Sequence, residues 1–147
     1  MSDDLDRRIE EANARRAKAR AALELQCKEQ LVQDLEALEN FELEYGPSNV
    51  KALRVNYAPG LPALAVVRVP SKLEIKRYQD KIKPSKKAEI GDLQAAAVQV
   101  GRVCLVYPAE GTELREALLD QRSPILVEAG FAAVALAESR DADEGKG

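Results

Sequence analysis

The residue types that most often perform chemistry in proteins are sparse in this 147-residue chain, which contains no histidine and two cysteines. Without histidine, the chain lacks the most common general base and the commonest metal ligand. Cys27 and Cys104 are far apart in the sequence and neither belongs to a CxxC pair, so no zinc site and no disulfide framework is predicted. We interpret both cysteines as small apolar residues, because buried free cysteine is usually inert.

The remaining candidates for catalysis have ordinary explanations. Adjacent acids such as Glu10 and Glu11 fall in a highly charged helical pattern, where carboxylates usually face solvent. Tyr78 is interpreted as a residue at the edge of the core. The spacings of a nucleophile elbow, a phosphate-binding loop, a dinucleotide fingerprint or a calcium loop do not occur. The sequence therefore predicts a protein that is not an enzyme and uses no cofactor or metal.

Basic charge is concentrated in the middle of the chain. Residues 1–44 carry seven basic and twelve acidic residues, 45–87 carry ten and two, and 88–147 carry five and eleven. The central cluster is a candidate anion-binding set, consisting of Arg68, Lys72, Lys76, Arg77, Lys81, Lys83, Lys86 and Lys87. Two interpretations stay open: complementarity to the acidic flanks of the same chain, or a surface for nucleic acid.

The elements that would position these residues begin with a long helix. Residues 3–44 contain no Gly or Pro and are rich in good helix formers. A helix of that length reaches about 60 Å, longer than a compact domain of this size is wide, so part of it must project or pair. The spacing of Leu31, Leu35, Leu38 and Phe41 predicts one buried face, and Gly46 followed by Pro predicts the end.

A β-hairpin is predicted next. Residues 50–57 alternate between apolar and polar, residues 64–69 are mostly apolar and β-branched, and 58–63 form the turn. Pro70 ends the second strand, and Ser71 with Glu74 predicts a capping box that starts a helix at once. Two strands alone are marginally stable, which suggests that the hairpin packs on helices or on another chain.

Four helices are predicted after the hairpin. They start near Ser71, Ser85, Thr112 and Ser123. The second of them, extending to about Val106, has the strongest periodicity and is expected to be buried nearly all round in its C-terminal half. Its buried stripe is predicted as Ile90, Leu93, Ala97, Val100 and Cys104. Its small residues, including Gly101, predict close approach of a neighbouring helix.

The predicted fold class is α+β, mostly α, with a long N-terminal helical arm, a short β-hairpin and a compact four-helix C-terminal domain. The predicted boundaries are an arm at 1–45, a small globular domain at 46–138 and a disordered tail at 139–147. No apolar run is long enough for a membrane span and no signal peptide is recognisable, so the expected location is the cytoplasm.

Three stretches carry a resemblance to a known family. They are RVPSKLEIKRY at 68–78, CLVYP at 104–108, and the start of the last helices, with Leu114, Leu118 and the PIL of 124–126. In this order they resemble the small tail assembly chaperones of long-tailed bacteriophages, over about residues 50–138. The resemblance implies a non-enzymatic role in the host cytoplasm, which is binding the tape measure protein and keeping its apolar helices soluble.

These observations together predict an assembly chaperone or interaction module that binds an apolar helical client and forms a homo-oligomer. The expected client-binding face is formed by the hairpin and the helices at 71–82 and 112–138, with anchors at Leu64, Val67, Tyr78, Leu114 and Leu118. One alternative is a nucleic-acid-binding accessory protein that uses the basic segment 68–87. Another is a structural virion component whose arm clamps a neighbouring subunit.

Overall fold

The computed structural model describes residues 2–82 and 90–145 of the chain. The described residues form five α-helices, three β-strands and one 3-10 turn. The helices are α1 (Ser2–Tyr45), α2 (Lys72–Lys81), α3 (Ile90–Cys104), α4 (Glu113–Gln121) and α5 (Ile125–Gly145), and the strands are β1 (Val50–Arg54), β2 (Leu64–Arg68) and β3 (Leu105–Tyr107). The predicted class, α+β and mostly helical, is confirmed.

The strands form one antiparallel sheet in the order β1, β2, β3. β1 and β2 are the predicted hairpin, with Val50 opposite Arg68. The third strand was not predicted, because the periodicity of α3 appeared to continue to Val106. The helix ends instead at Cys104, and the next three residues pair with the open edge of β2, where Tyr107 lies opposite Val66. Local periodicity could not reveal this, since a short strand gains its hydrogen bonds from a distant partner.

Helices cover both faces of the central strand β2. On one face, Ala65 and Val67 belong to the main core, together with side chains such as Val100 of α3, Leu118 of α4 and Ala129 of α5. All five are buried. Because β2 is covered on both sides, it contains an uninterrupted buried run rather than an alternating pattern.

The C-terminal part of α1 forms the layer on the opposite face. Leu64 and Val66 of β2 are packed there against Leu31, Leu38 and Phe41. The predicted boundary at residue 45 therefore separates two layers that pack on each other, and residues 30–45 of the predicted arm belong to the globular domain.

Helices α3 and α5 approach each other closely through glycine, as Gly101 predicted. A Cβ atom built at Gly101 would overlap the carbonyl group of Leu126, and one built at Gly130 would overlap the carbonyl group of Ala97. Neither position has room for a side chain. The two backbones therefore pack more closely than larger residues would permit.

Local signals set several helix ends as predicted. The Ser71 hydroxyl accepts the Glu74 N–H, and the Glu74 carboxylate accepts the Ser71 N–H, which completes the capping box. Thr112 caps α4 by accepting the N–H of Arg115. Gly46 follows α1 with φ of 93°, a left-handed conformation that favours glycine.

Three predictions about burial and order require correction. Leu35 was placed on the buried face of α1 but is exposed, because Asp34 faces the sheet and adjacent helical residues point about 100° apart. Val103 of α3 is also exposed, so the end of that helix is not buried all round. The tail at 139–147 was predicted to be disordered; α5 continues into it as far as Gly145, and residues 146 and 147 lie outside the described residues.

Candidate partner-binding surface

The five predicted client anchors do not form a surface. Leu64, Val67, Tyr78 and Leu118 are buried, and Leu114 is half-buried. Val67, Tyr78 and Leu118 belong to the main core, whereas Leu64 lies on the other face of the sheet against α1. Their apolar character reflects core packing, because the unpredicted third strand and α1 complete the packing of the hairpin within the same chain. The client-binding face predicted there is therefore corrected to an interior.

Arg68, the first of the predicted anion-binding residues, is paired within the chain. Its guanidinium donates to both carboxylate oxygens of Glu74, at 2.9 and 3.1 Å, and to the carbonyl of Val69 at 3.0 Å. The hydrogen bond with Glu74 raises the pKa of Arg68, and the same bond lowers the pKa of Glu74. Since Glu74 also caps α2, this pair fixes the helix to the end of β2 rather than offering a cation to an external anion.

Other members of the basic set lie on the surface of α2. Lys72, Lys76, Arg77 and Lys81 are all exposed. The three remaining members, Lys83, Lys86 and Lys87, lie outside the described residues. The structure thus presents four of the predicted cations to solvent on one short helix.

A buried carboxylate, which the sequence analysis missed, attaches α1 to the sheet. Asp34 is fully buried, and its Oδ2 accepts the N–H groups of Ala63 at 2.6 Å and Leu64 at 3.2 Å. Its Oδ1 accepts the Gln30 amide at 2.8 Å and the hydroxyl of Tyr107. Burial, and then the bond to Asp34, raise the pKa of Tyr107. The available signal was the position of Asp34 between Leu31 and Leu38 on an apolar face.

A buried arginine performs a similar structural task on the other side of the molecule. Arg115 of α4 donates to the carbonyls of Leu105 at 2.5 Å, Arg102 at 3.0 Å and Pro108 at 3.2 Å. Burial lowers the pKa of Arg115. The guanidinium therefore satisfies main-chain acceptors where α3 ends and β3 passes into the next loop. The local sequence around Arg115 gave no sign of this burial.

The candidates for chemistry are in structural surroundings. Cys104 is buried and unpaired, and burial raises the pKa of its thiol to about 11. Burial also raises the pKa of Tyr78. Across residues 2–82 and 90–145, no group of three or more His, Cys, Asp or Glu residues is arranged to hold a metal ion. A cleft of about 120 Å³ lies between α2 and α3, and one of about 460 Å³ lies beside Phe41, Arg102 and Arg115.

The N-terminal part of α1 carries exposed apolar residues on one side. In the C-terminal part of the same helix, that side faces the sheet. Residues 2–29 are exposed except for Ala12 and Cys27, which are half-buried. At about 100° per residue, Leu5, Ile9 and Leu23 point within about 20° of the direction of Asp34. We call these three residues the inner row.

The opposite side of α1 carries a second set of exposed apolar residues, which we call the outer row: Leu25, Val32 and Leu43. Leu25 and Leu43 lie nine residues before and after Asp34, which is two and a half helical turns and therefore the opposite face. The three side chains are 59, 57 and 79% exposed. The sequence analysis missed this row because it searched for the single stripe of a helix with one buried face.

Neither the character of the helices nor comparison with known proteins assigns a function. In the part of the chain that the structure describes, no helix combines the length and apolar character needed to cross a membrane. Comparison of the chain with protein-family models, curated proteins and solved structures gave no match. The exposed apolar residues of α1 and the exposed cations of α2 are therefore the candidate partner-binding features of the described residues.

Proposed function

We propose that this protein is a non-enzymatic interaction module that binds an apolar helical client along the outer row of α1. The observation that carries the proposal is the exposure of Leu25, Val32 and Leu43 on one line of a regular helix. Exposed apolar side chains that repeat on one line of a helix can receive the apolar stripe of a partner helix. The row extends over about 27 Å of helix, enough for five turns of a client helix.

The outer row belongs to a part of α1 that is held in place. Asp34 anchors the helix to the sheet on the opposite face, and Leu38 and Phe41 pack beside it. Val32 and Leu43 are therefore displayed from a supported segment rather than from a free helix. Such a support reduces the conformational entropy that binding would otherwise cost.

The charges beside the outer row indicate what kind of helix fits. Glu36 is exposed within about 20° of the line from Leu25 to Leu43 and lies between Val32 and Leu43, whereas Glu29 and Glu39 are exposed about 40° to either side of that line. Carboxylates that flank an apolar row favour a partner with lysine or arginine in the matching positions. The proposed client is therefore an amphipathic helix whose apolar stripe has basic flanks.

The resemblance to phage tail assembly chaperones supports a specific version of this proposal. In that version the client is a helical segment of a tape measure protein and the protein acts in the host cytoplasm. The displayed row would cover apolar client surface until the tail tube assembles around it. In this proposal the binding surface is α1 rather than the buried anchors, and the class of client is the one expected from the sequence.

Co-expression tests the proposal. A tape measure segment with an apolar, basic-flanked helix should be soluble and co-purify with the wild-type protein. The double variant Leu25→Gln, Leu43→Gln should lose at least about tenfold of the captured segment, because a few anchors carry most of an interface's energy. Leu73→Gln is the matched control, since Leu73 is 57% exposed on α2. Equal capture by all three proteins, with circular dichroism showing intact folds, would refute the proposal.

A second candidate, nucleic-acid binding, is favoured by the exposed cations Lys72, Lys76, Arg77 and Lys81 of α2. It predicts that the protein retains duplex DNA in low salt and releases it steeply as salt rises. Lys72→Gln combined with Lys76→Gln should then weaken retention for every DNA sequence tested. Failure of the wild-type protein to retain DNA in low salt would remove this candidate.

A further inference from the structure

The inner row of α1 has no covering element among the described residues. Leu5 and Ile9 are each 58% exposed and Leu23 is 38% exposed. They continue, towards the N-terminus, the side of the helix that Leu38 and Asp34 use against the sheet. The inner row therefore lies on the part of α1 before residue 30, which the domain does not cover.

We propose that the inner row is covered by a second copy of this chain, with the two α1 helices antiparallel over residues 2–26. In this register Leu5 lies against Leu23 of the second copy, Ile9 against its Ala19 and Ala12 against its Arg16. The two residue numbers have the same sum in every pair. Both helices therefore contribute residues to the contact at the same alternating spacing of three and four. The register uses nearly all of the exposed helix, which is about 42 Å long from residue 2 to 29.

The position of the domain determines the direction of pairing. The inner row and the domain lie on the same side of α1, because Leu5, Ile9 and Leu23 point as Asp34 does. A parallel second helix that covered the row would run into the domain from residue 30 onward. An antiparallel second helix starts near residue 26 and runs away from the domain, so its own domain lies beyond the first N-terminus.

Charge favours the same direction. In the antiparallel register Asp6 lies beside Arg20 of the second copy, and this attraction occurs twice by symmetry, against one like-charge pair of Arg15 residues near the twofold axis. The two Arg16 residues of the antiparallel register also lie near the twofold axis, about 6 Å apart along the helices. In a parallel alignment the Arg16 side chains of the two copies would face each other, and Arg15 of each copy would lie beside Arg20 of the other. The first arrangement therefore has two attractive pairs and two repulsive pairs, whereas the second has three repulsive pairs.

The size of the contact predicts a weak dimer. Three large apolar side chains from each copy make a small interface, of the kind found in transient complexes. Dimers should therefore be populated at high concentration and dissociate on dilution. A trapping experiment is the appropriate test.

Disulfide trapping distinguishes the register. In a Cys27→Ser background, a Leu5→Cys chain and a Leu23→Cys chain of different mass are mixed under mild oxidation. The mixed 5–23 product should exceed either homodimer by about fivefold, since antiparallel pairing joins unlike positions. Cys104 is fully buried and does not interfere. Val32→Cys, which lies on the outer row, is the control and should show no such enrichment.

The other outcomes are decisive as well. Excess of 5–5 and 23–23 homodimers would overturn the antiparallel register, and yields equal to those of Val32→Cys would overturn the pairing itself. Sedimentation equilibrium gives a second readout on intact chains. Asp6→Arg and Arg20→Asp should each raise the dimer dissociation constant about threefold or more, and the two together should restore it. Dissociation constants that do not change in either single variant would contradict the proposal.

Discussion

Replacing Asp34 by alanine should loosen α1 from the sheet. Four donors share this buried carboxylate: the N–H groups of Ala63 and Leu64, the Tyr107 hydroxyl and the Gln30 amide. Alanine removes every acceptor at once. The two main-chain donors cannot rotate to new partners, because β2 fixes them in place.

The expected loss of stability follows from those donors. A buried donor left unsatisfied costs about 1 to 3 kcal/mol, so the N–H groups of Ala63 and Leu64 together give about 2 to 6 kcal/mol. That is a large part of the about 5 to 15 kcal/mol by which typical domains are stable. Asp34→Asn keeps an acceptor oxygen of the same shape and should lose about 1 to 2 kcal/mol, since its hydrogen bonds are no longer charge-assisted.

Guanidinium unfolding followed by far-ultraviolet circular dichroism measures both losses. Glu36→Ala is the control, because Glu36 is an exposed carboxylate two residues further along the same helix. Its free energy of unfolding should stay within about 0.5 kcal/mol of wild type. If Asp34→Ala also stays within about 0.5 kcal/mol, the carboxylate does not attach α1 to the sheet and the reasoning is refuted.

Three further predictions test the packing and the ionisable contacts. Gly130→Ala should lower the free energy of unfolding by about 3 kcal/mol or more, because the new methyl group would overlap α3. Gly91→Ala, on α3 with open space around it, should raise the free energy of unfolding by about 0.5 to 1 kcal/mol. Melting temperatures of the two variants measure the difference. Arg68 lowers the pKa of Glu74 below its ordinary value of 4.5, so the pair stabilises the fold above that pH and the benefit disappears in acid. Glu74→Gln should therefore cost about 1 kcal/mol at neutral pH and much less near pH 2, by urea titration. Burial raises the pKa of Tyr107 above its ordinary value of 10.0, so wild-type stability should fall above about pH 10 and Tyr107→Phe should flatten that fall.

Local sequence signals predicted the elements whose causes are local. The capping box at Ser71, the left-handed glycine after α1 and the Thr112 cap each depend on neighbouring residues, and the structure has all three. The close approach at Gly101 was also predictable, because a small residue on a periodic stripe indicates where a neighbouring helix lies nearest. Its counterpart Gly130 was missed because one sequence does not show which positions meet.

Long-range contacts produced the errors. β3 exists because the open edge of β2 lies beside residues 105–107, and Asp34 is buried because four donors from three segments converge on it. Neither arrangement is visible in a local window. Both errors affected the predicted client-binding face. Because β3 and α1 cover the sheet, Val67 and Leu118 are core residues, and the partner surface that we propose is on α1 instead.

The sequence predicted that part of α1 extends beyond the domain, but not all of the apolar residues that this helix exposes. Its length and thin apolar content indicated that it must project or pair, and residues 2–29 extend beyond the domain. The outer row was not predicted, since a helix with apolar residues on both sides has no dominant stripe.

The central claim, that the outer row binds an apolar helix with basic flanks, is tested most directly by calorimetric titration with two designed helical peptides. They share one leucine stripe, and its flanking positions are lysine in one peptide and glutamate in the other. The wild-type protein should bind the lysine peptide at least about tenfold more tightly at low salt, and Leu25→Gln with Leu43→Gln should abolish binding while Leu73→Gln does not. Equal affinity for the two peptides, or equal binding by the outer-row variant and the wild-type protein, would contradict the claim.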